Sequence, residues 1–587
     1  MRLIWKYVRP YRLIMLGSMS VKLAATLMEL MIPYVLEYLI DTVAPTGQKG
    51  QVFLWGGVMV LLAVAVRFSN VAANRLSVRT AKNSAFAVRR DLFHTSLNLS
   101  GSQIDQFGLP SIISRMTSDS YNVQGFIQSS QTLGVRAPFM LIGGIAVTLS
   151  MDTGLAAILC VMAPVMIALV IFISRKGIPL YDSVQQGMDA IVRVMRENIT
   201  GIRVVKALSR EEHEKARFAS VNETAARRDI RASIIMALPG PVVTLMLNTG
   251  LTLIVLIGAR RVNAGVTQPG VILAFLTYFN MILMGVMGLN RIFMMMSRAN
   301  ASAKRIASVI GKPDQLAPID ESEAAKPGRE GFLIFDHVSF NYEADQDEKE
   351  ADAGQFAGSV RQKALIDVDF SVPKGGSLGI IGATGSGKTS IINLLMRFYD
   401  PQEGHVFVDG KDVRTYDKDD LHRRFGVVLQ TDVLFADTIR ENIVFGRDVT
   451  EEDLEAAAED AMAADFVNGY EDGFDHQASI HGANFSGGQR QRLLIARALA
   501  ADPEILILDD SSSALDYRTD ASLRRAIRER HADTTMVVVA QRVSSIMNLD
   551  DILVMDEGRV IGHGTHEQLL RDCPVYREIH RVQMGGE

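Results

Sequence analysis

The chain has 587 residues, more than one compact domain normally holds, and 48% of them are hydrophobic while 22% are charged. This apolar content excludes a disordered chain, and a formal net charge of -5 gives no support for a nucleic-acid-binding protein, which usually carries a basic face. Two cysteines, Cys160 and Cys573, exclude a disulfide framework and a cysteine-rich zinc module.

Long apolar stretches dominate the first half of the chain. A helix needs roughly 20 mostly apolar residues to cross a hydrocarbon core about 30 Å thick. We predict six transmembrane helices, over residues 13–42, 52–74, 129–150, 153–174, 234–259 and 268–296. The second is the weakest, because Arg67 interrupts a short apolar run. No signal peptide precedes them, since the first span is too long for the apolar region of one and no cleavage signal follows closely.

Basic residues between the spans predict the orientation, since Lys and Arg favour the cytoplasmic side. They are frequent in the N-terminus and in the two long connections, whereas the opposite short loops hold few, with Arg260 and Arg261 as exceptions. We therefore expect a multi-pass membrane protein with both termini inside the cell. Helical spacing of apolar residues in 188–218 indicates that the long connections continue the spanning helices, either to carry force or as plain solvated hairpins.

The second half contains a phosphate-binding motif. The segment Gly382–Thr389 fits G-x-x-x-x-G-K-[ST], between an apolar strand-like run and a helix-like run. Backbone N–H groups of such a loop surround phosphates at a helix N-terminus, Lys388 would reach the β- and γ-phosphates, and Thr389 would ligate Mg²⁺. A structural glycine turn is the alternative. The candidate nucleotide ligands here are Gly382, Thr384, Gly385, Ser386, Gly387, Lys388, Thr389 and Ser390.

Three further positions fit a nucleotide site. Asp509 ends the apolar run Ile505–Leu508 and is the expected second Mg²⁺ anchor. Gln430 follows an apolar run and would sense the γ-phosphate or the metal. Tyr342 follows another, and its ring would stack on adenine. Taken separately, Tyr342 and Gln430 are equally compatible with ordinary surface packing.

The string Phe485-Ser-Gly-Gly-Gln489 resembles the signature of the ABC transporter family, usually LSGGQ, with Phe for Leu as a mild departure. Six spans ahead of one such domain resemble an ABC exporter half-transporter, and the segment 193–217 is similar to the helix segment between the fourth and fifth spans of multidrug-type exporters. The resemblance covers essentially the whole chain. The motif order is also that of the family: Tyr342, the phosphate loop, Gln430, the signature, Asp509, Ser513–Asp516 and Gln541.

The resemblance implies a polytopic α-helical membrane domain of exporter type with six transmembrane helices over residues 1–315, a linker over 316–330 and an α/β P-loop ABC ATPase domain over 331–587. It also implies that two ATPase domains meet head to tail, with each ATP between one phosphate loop and the other signature. Short coupling helices, near 108–116 and 209–216, would transmit this closure to the spans. The residues expected to contact nucleotide held by a second half-transporter chain are Ser486, Gly487, Gly488, Gln489 and Asp516.

Two positions depart from the family pattern. Where the family usually has Glu to polarise the attacking water, this chain has Asp510, which withdraws the carboxylate by roughly one C–C bond, and a misplacement of about 1 Å can cost about 10²-fold. Where the family has a switch His, this chain has Gln541, whose amide cannot take up a proton. We therefore expect the site built on Lys388 to hydrolyse ATP poorly, while the signature is intact.

The expected function is one subunit of a heterodimeric exporter that uses ATP and Mg²⁺ to move small amphipathic substrates, drug-like, lipid or peptide, out across a lipid membrane. The alternatives are a homodimer with two slow sites, an exporter-fold importer, and an ATP-gated channel or regulatory membrane ATPase. The six spans exclude a soluble ABC ATPase that acts on DNA or ribosomes, so no nucleic-acid partner is expected.

Three features leave alternatives open. The methionines of the sixth span fit a substrate cavity, a lipid-facing surface or helix packing. Lys22 and Glu29, seven residues apart in the first span, would contact substrate, pair structurally, or, for the lysine, reach the inner interface. The acidic stretch 343–363 is expected to be a solvated loop beside Tyr342 with little influence on adenine stacking.

Overall fold

The computed structural model describes residues 1–313, 315–342, 363–431, 433–512 and 514–585. These form two compact units, the first made of residues 1–97 and 112–312, the second of residues 98–111 and 313–587. Apart from Lys363, the acidic stretch 343–363 lies outside the described residues, and so does Ser513.

The first half of the chain is helical. Its helices, in chain order, are α1 (Arg2–Val8), α2 (Arg12–Tyr38), α3 (Lys49–Leu97), α4 (Gly101–Phe107), α5 (Leu109–Ser114), α6 (Ser120–Met151), α7 (Thr153–Thr200), α8 (Ile202–Ala207), α9 (Glu211–Ala237), α10 (Pro239–Asn263) and α11 (Pro269–Ile310). Short π-helical and 3-10 segments extend α2 to Thr46, and a π-helical segment joins α5 to α6.

Within the described part of the chain, five helical segments are long and apolar enough to cross a membrane. They are Arg2–Thr46, Lys49–Leu97, Leu109–Met151, Glu211–Asn263 and Pro269–Ile310, and each matches one predicted span, the last apart from residue 268. The remaining predicted span, 153–174, lies in α7, where the described apolar stretch is the shorter Thr153–Leu169. Arg67, which made the second span the weakest on sequence, does not break α3.

Two helices are far longer than a membrane is thick. α3 has 49 residues and α7 has 48. At a rise of 1.5 Å per residue each is about 70 Å long, against a hydrocarbon core of about 30 Å. The prediction that the long connections continue the spanning helices is confirmed.

Two ionisable residues of the first predicted span, Lys22 and Glu29, have partners on other helices. Lys22 is buried, and its Nζ donates to Asn70 Oδ1 of α3 at 2.5 Å. Glu29 accepts a hydrogen bond from Arg136 Nη2 of α6 at 2.8 Å. Among the three alternatives for Lys22 and Glu29, these contacts favour structural pairing, since an intramembrane charge needs a partner.

Arg261, one of the two basic residues that break the orientation pattern, is also paired. Its Nε donates at 3.1 Å to Oδ2 of Asp152, which is buried. The other oxygen of Asp152 caps α7 by accepting from the N–H groups of Gly154 and Leu155. The arginine therefore has a structural reason to stand at this loop.

The second unit contains two sheets. Its strands are β1 (Leu333–Phe340), β2 (Leu365–Val372), β3 (Ser377–Gly382), β4 (Glu403–Val408), β5 (Lys411–Asp412), β6 (Phe425–Val428), β7 (Ile505–Asp509), β8 (Thr535–Val539), β9 (Asp551–Asp556) and β10 (Arg559–Gly564). An antiparallel sheet has the order β2-β1-β4-β5. The other sheet has the order β10-β9-β3-β8-β7-β6 and is parallel except for β10.

The second unit also contains helices after β3. In chain order they are α12 (Lys388–Leu395), α13 (Lys418–Arg423), α14 (Ile439–Val444), α15 (Glu451–Asp460), α16 (Ala464–Val467), α17 (Gly487–Leu499), α18 (Tyr517–Arg530), α19 (Val543–Ile546), α20 (His566–Asp572) and α21 (Pro574–Met584).

The parallel sheet is buried on both faces, which explains its unbroken apolar runs. All five residues of β7 are buried, and successive side chains enter different hydrophobic clusters. Ile505 and Ile507 join one cluster, and Leu506 and Leu508 join the other. Because strands β3, β6, β7 and β8 run parallel, their carboxyl ends meet at one edge of the sheet, where ligands of open α/β sheets usually bind.

Candidate functional site

The loop after β3 has the backbone geometry of a phosphate cradle. Gly385 and Gly387 have φ of +83° and +100°, a region that other residues rarely adopt. A Cβ at Gly387 would also lie 2.6 Å from the carbonyl oxygen of Ala364. Gly387 directly precedes α12, so the unpaired N–H groups of the first helical turn face this loop and favour an anion.

Lys388 lies within the same loop. Its Nζ donates to the carbonyl oxygens of Gly382 and Ala383, at 2.9 and 2.7 Å. Burial lowers the pKa of the ammonium, while the carboxylates of Asp509 and Asp510 oppose the shift. A half-buried ammonium beside two carboxylates, held by loop carbonyls, could exchange those carbonyls for phosphate oxygens.

A cluster of oxygen ligands lies beside the lysine. Thr389 Oγ1 donates to Asp509 Oδ2 at 3.4 Å, and Asp509 is buried at the end of β7. Burial raises the pKa of the Asp509 carboxyl to about 6, against a lowering by the Thr389 hydrogen bond. Gln430, two residues after β6, lines a cavity of about 320 Å³ together with Lys388, Thr389 and Asp509. A carboxylate, a hydroxyl and an amide oxygen are the donors a hard cation prefers, so these residues fit Mg²⁺.

Tyr342 lies at the rim of this cavity and is held from several sides. Its hydroxyl lies 3.1 Å from Ser390 Oγ and accepts from Asn393 Nδ2 at 3.0 Å. Its ring meets those of Phe340 and Tyr399 edge to face, with centroids 4.8 and 5.2 Å away. These contacts fix the orientation of an aromatic face beside the phosphate loop, as stacking on a base requires.

The two positions that depart from the family pattern touch each other. Asp510 has φ of +51°, and its N–H donates to the carbonyl oxygen of Val539 at 2.9 Å. This links it to the strand that leads to Gln541, whose Nε2 donates to Asp510 Oδ2 at 3.1 Å. Burial raises the pKa of the Asp510 carboxyl, and the charges of Lys388 and Arg542 oppose this. One oxygen of this carboxylate therefore already accepts an amide hydrogen bond.

The signature opens α17 with two reciprocal hydrogen bonds. Ser486 Oγ accepts from the N–H of Gln489 at 3.2 Å, and Gln489 Oε1 accepts from the N–H of Ser486 at 2.9 Å. This capping box leaves the N–H groups of Gly487 and Gly488 at the helix start for an anion. Phe485 is 7% exposed and belongs to the hydrophobic core, so the Phe-for-Leu departure changes core packing and leaves the turn intact.

Asp516 also caps a helix. Its carboxylate accepts from the N–H groups of Arg518 and Thr519 and from the Thr519 hydroxyl. These hydrogen bonds, first that from the Thr519 backbone, lower the pKa of Asp516. The residue positions the start of α18.

One cavity of about 320 Å³ collects most of the predicted residues. Ser386 is buried in the loop beneath it, and Gly382 ends β3. Among the described residues, those of the signature and Asp516 do not line the cavity. Sequence reasoning missed Ala364, Val539 and Ala540, although two of them stand at a strand end beside Gln541. The predicted residues that line it are Tyr342, Thr384, Gly385, Gly387, Lys388, Thr389, Ser390, Gln430, Asp509, Asp510 and Gln541.

Helix α4 lies against the ATPase unit. Gln103 Nε2 donates to the Pro313 carbonyl oxygen at 3.0 Å, and the Gly101 N–H donates to the Phe398 carbonyl oxygen at 3.1 Å. The capping box of Ser100 and Gln103 starts α4 and Gly108 ends it, so these contacts lie just before the coupling helix predicted near 108–116, a range that contains α5.

Family models match both halves of the chain. The model for the ABC transporter transmembrane region matches residues 15–287, and the ABC transporter model matches residues 365–513. An uncharacterized ABC transporter ATP-binding protein of Mycobacterium bovis is 33% identical over 585 residues, which cover 99% of this chain and 98% of the relative.

Two further proteins are similar over most of their length. An ATP-dependent lipid A-core flippase of Methylobacillus flagellatus is 31% identical over 533 residues, with 90% of this chain and 87% of the relative covered. The solved structure of a bacterial Atm1-family ABC exporter with ATP bound has a TM-score of 0.78 at 23% identity, covering 98% of this chain and 99% of the other, which shows the same fold.

Proposed function

The chain belongs to the ABC transporter family, and on that premise we propose that it is one subunit of an ATP-driven exporter built from two unlike half-transporters. The family makes it a multi-pass membrane transporter that binds and uses ATP. In the proposal, its own phosphate loop belongs to a site that hydrolyses ATP poorly, and its signature completes a competent site on the partner.

The contact between Gln541 and Asp510 is the observation that carries the proposal. A general base needs a free carboxylate oxygen within hydrogen-bond reach of the attacking water. Here the carboxylate is short by one methylene and accepts a hydrogen bond from an amide that has no proton to exchange. Both departures weaken the same step, so we infer slow hydrolysis in the pocket of Lys388.

The position of the signature supports a second chain. Ser486, Gly487 and Gly488 present a helix N-terminus outside the cavity that Lys388 lines, so nucleotide bound there needs another signature. Exposed apolar side chains around α8 also suit a protein partner: Ile199 is 69% exposed, Val204 61% and Leu208 66%. ABC exporters of this type act as dimers.

Roles for the individual residues follow from the cavity. We infer that Tyr342 stacks on adenine and that the phosphate loop with Lys388 binds the phosphates. Thr389, Gln430 and Asp509 hold Mg²⁺, which neutralises phosphate charge when bound. Ser486 to Gln489, with Asp516 as the cap of the neighbouring helix, serve the partner's nucleotide.

We propose the domain division stated above, a membrane domain over 1–315, a linker over 316–330 and an ATPase domain over 331–587. The basic residues of the N-terminus and the long connections support a bacterial inner membrane with both termini cytoplasmic. Amphipathic cargo fits exposed Met284 and Met287 on α11. The flippase relative favours a lipid among the three cargo classes.

Transport by inverted membrane vesicles that contain both chains tests the direction of flux. ATP-dependent accumulation of an amphipathic dye or labelled lipid inside inverted vesicles supports export. ATP-dependent loss from preloaded vesicles supports an importer, and flux with bound but uncleaved ATP supports a gated channel.

A homodimer is tested by affinity purification from native membranes, where the proposal expects a second half-transporter with Glu and His at the two substituted positions.

A further inference from the structure

Tyr399 contacts both Tyr342, the residue proposed to stack on adenine, and helix α4. The ring of Tyr399 meets that of Tyr342 at 89°, with centroids 5.2 Å apart. The hydroxyl of Tyr399 donates to Asp105 Oδ2 of α4 at 2.7 Å. Burial and the adjacent Asp105 carboxylate raise the pKa of Tyr399, so its hydroxyl stays protonated and acts as the donor.

The contact between this ring and α4 leaves no free space. A Cβ on Gly101 would lie 2.5 Å from Cζ of Tyr399, closer than any real side-chain carbon approaches. Glycine at this position therefore lets the ring lie directly against the helix backbone. A displacement of the ring has to be matched by a displacement of α4, because packed interiors do not compress.

The start of α4 is tied to the chain that leads into the ATPase unit. Ser100 and Gln103 are both buried and form a capping box. Ser100 Oγ also donates to Gln315 Oε1 at 3.0 Å. The helix is thus held at its start by Pro313 and Gln315 and on its side by Tyr399.

We propose that Tyr399 is a positioning residue that transmits occupancy of the adenine site, through Tyr342, to helix α4. A base stacked on Tyr342 restricts that ring, the edge-to-face contact restricts Tyr399, and its hydroxyl fixes Asp105. Occupancy then stabilises one placement of α4 over others, which is the differential interaction that any ligand-driven shift requires. The inference rests on the proposed stacking of adenine on Tyr342 and not on pairing of this chain with an unlike subunit.

Hydrogen exchange on the full complex in lipid nanodiscs tests this relay. Amide exchange of segment 98–111 is measured with and without saturating Mg²⁺–ATPγS, and binding to this chain is verified by photolabelling with an azido nucleotide. We expect nucleotide to protect this segment in the wild type. In Tyr399→Phe, which keeps the ring and loses the hydroxyl, we expect that protection to fall at least about fivefold, the lower range of allosteric coupling.

Tyr416→Phe is the matched control, since the Tyr416 hydroxyl donates to the Val408 carbonyl oxygen inside the ATPase unit. Tyr416→Phe should keep the protection of segment 98–111 by nucleotide. Asp105→Ala should lose that protection to the same extent as Tyr399→Phe. Because coupling is reciprocal, Gly101→Ala, which pushes the ring away, should weaken nucleotide binding to this chain. The proposal is overturned if nucleotide leaves segment 98–111 unchanged in the wild type, if Tyr399→Phe responds like wild type, or if Tyr416→Phe loses the response equally.

Discussion

The nucleotide pocket and the signature turn of this chain differ in how closely they follow the family pattern. In the pocket, Asp510 and Gln541 stand where the family usually has Glu and His, and the Gln541 amide donates a hydrogen bond to the Asp510 carboxylate. At the signature, Ser486 and Gln489 form a complete capping box at the start of α17. Hydrolysis of a chain's own nucleotide and contact with a partner's nucleotide use different residues. Each can therefore be altered without the other.

Substitution of the signature serine is expected to have the largest effect. In the proposal the Ser486 hydroxyl donates to the partner's γ-phosphate, and Ser486→Ala removes it; loss of one such donor typically lowers turnover about 10²- to 10³-fold. Thr565→Ala is the matched control, because Thr565 forms the same capping box with Gln568 away from nucleotide. Both changes should cost about 1 kcal/mol of helix-cap stability. Steady-state ATPase of the two-chain complex should collapse only in Ser486→Ala, and equal losses would refute the role of the signature.

Restoring the family residues at both positions should remove the difference between the pocket and the signature. Asp510→Glu with Gln541→His returns the carboxylate by about 1 Å and supplies a titratable ring, so hydrolysis in this chain's pocket should rise about 10²-fold. Asp510→Glu alone should have a modest effect, because Gln541 still donates to the carboxylate. Single-turnover hydrolysis with the partner's phosphate-loop lysine inactivated isolates this pocket. No gain in the double variant would place the defect elsewhere.

Adenine stacking predicts an intermediate effect. Tyr342→Ala should weaken nucleotide binding to this chain about tenfold, since stacking of a base on an aromatic ring contributes about 1–3 kcal/mol. Tyr342→Phe keeps the ring and loses only the hydroxyl contacts to Ser390 and Asn393, so its effect should be small. Equilibrium binding of a fluorescent ATP analogue measures both, and equal losses would show that the hydroxyl matters rather than the stacking face.

The phosphate-loop lysine should show the smallest effect on overall turnover. If this pocket hydrolyses slowly, as proposed, Lys388→Ala should leave most of the ATPase activity of the pair. The same change in the partner chain should abolish it. Comparable losses from both chains would contradict the asymmetry.

Much of the nucleotide pocket was predictable because its residues stand at the ends of parallel strands. Lys388, Gln430, Asp509 and Gln541 each follow an apolar run, and parallel pairing brings those run ends to one edge. The family and the exporter-type fold were also predicted correctly from the motif order. Local sequence carries this information, since strand ends and glycine turns have clear patterns.

Contacts between distant segments were not predictable. Nothing in the sequence pairs Asp105 with Tyr399, which are 294 positions apart, or Glu29 with Arg136. No pattern marks which of the two adjacent short helices, α4 or α5, contacts Tyr399. The capping role of Asp516 competes with any direct role at nucleotide, and only the hydrogen bonds to Arg518 and Thr519 reveal it.

Nucleotide trapping resolved by chain tests the asymmetry most directly. The two-chain complex turns over a radiolabelled azido-ATP with Mg²⁺ and vanadate, which captures the diphosphate at a pocket that has just hydrolysed, and light then links the nucleotide to its chain. We predict trapped diphosphate on the partner and uncleaved triphosphate on this chain. Equal amounts of trapped diphosphate on both chains, or rapid trapping by this chain purified alone, would contradict the account.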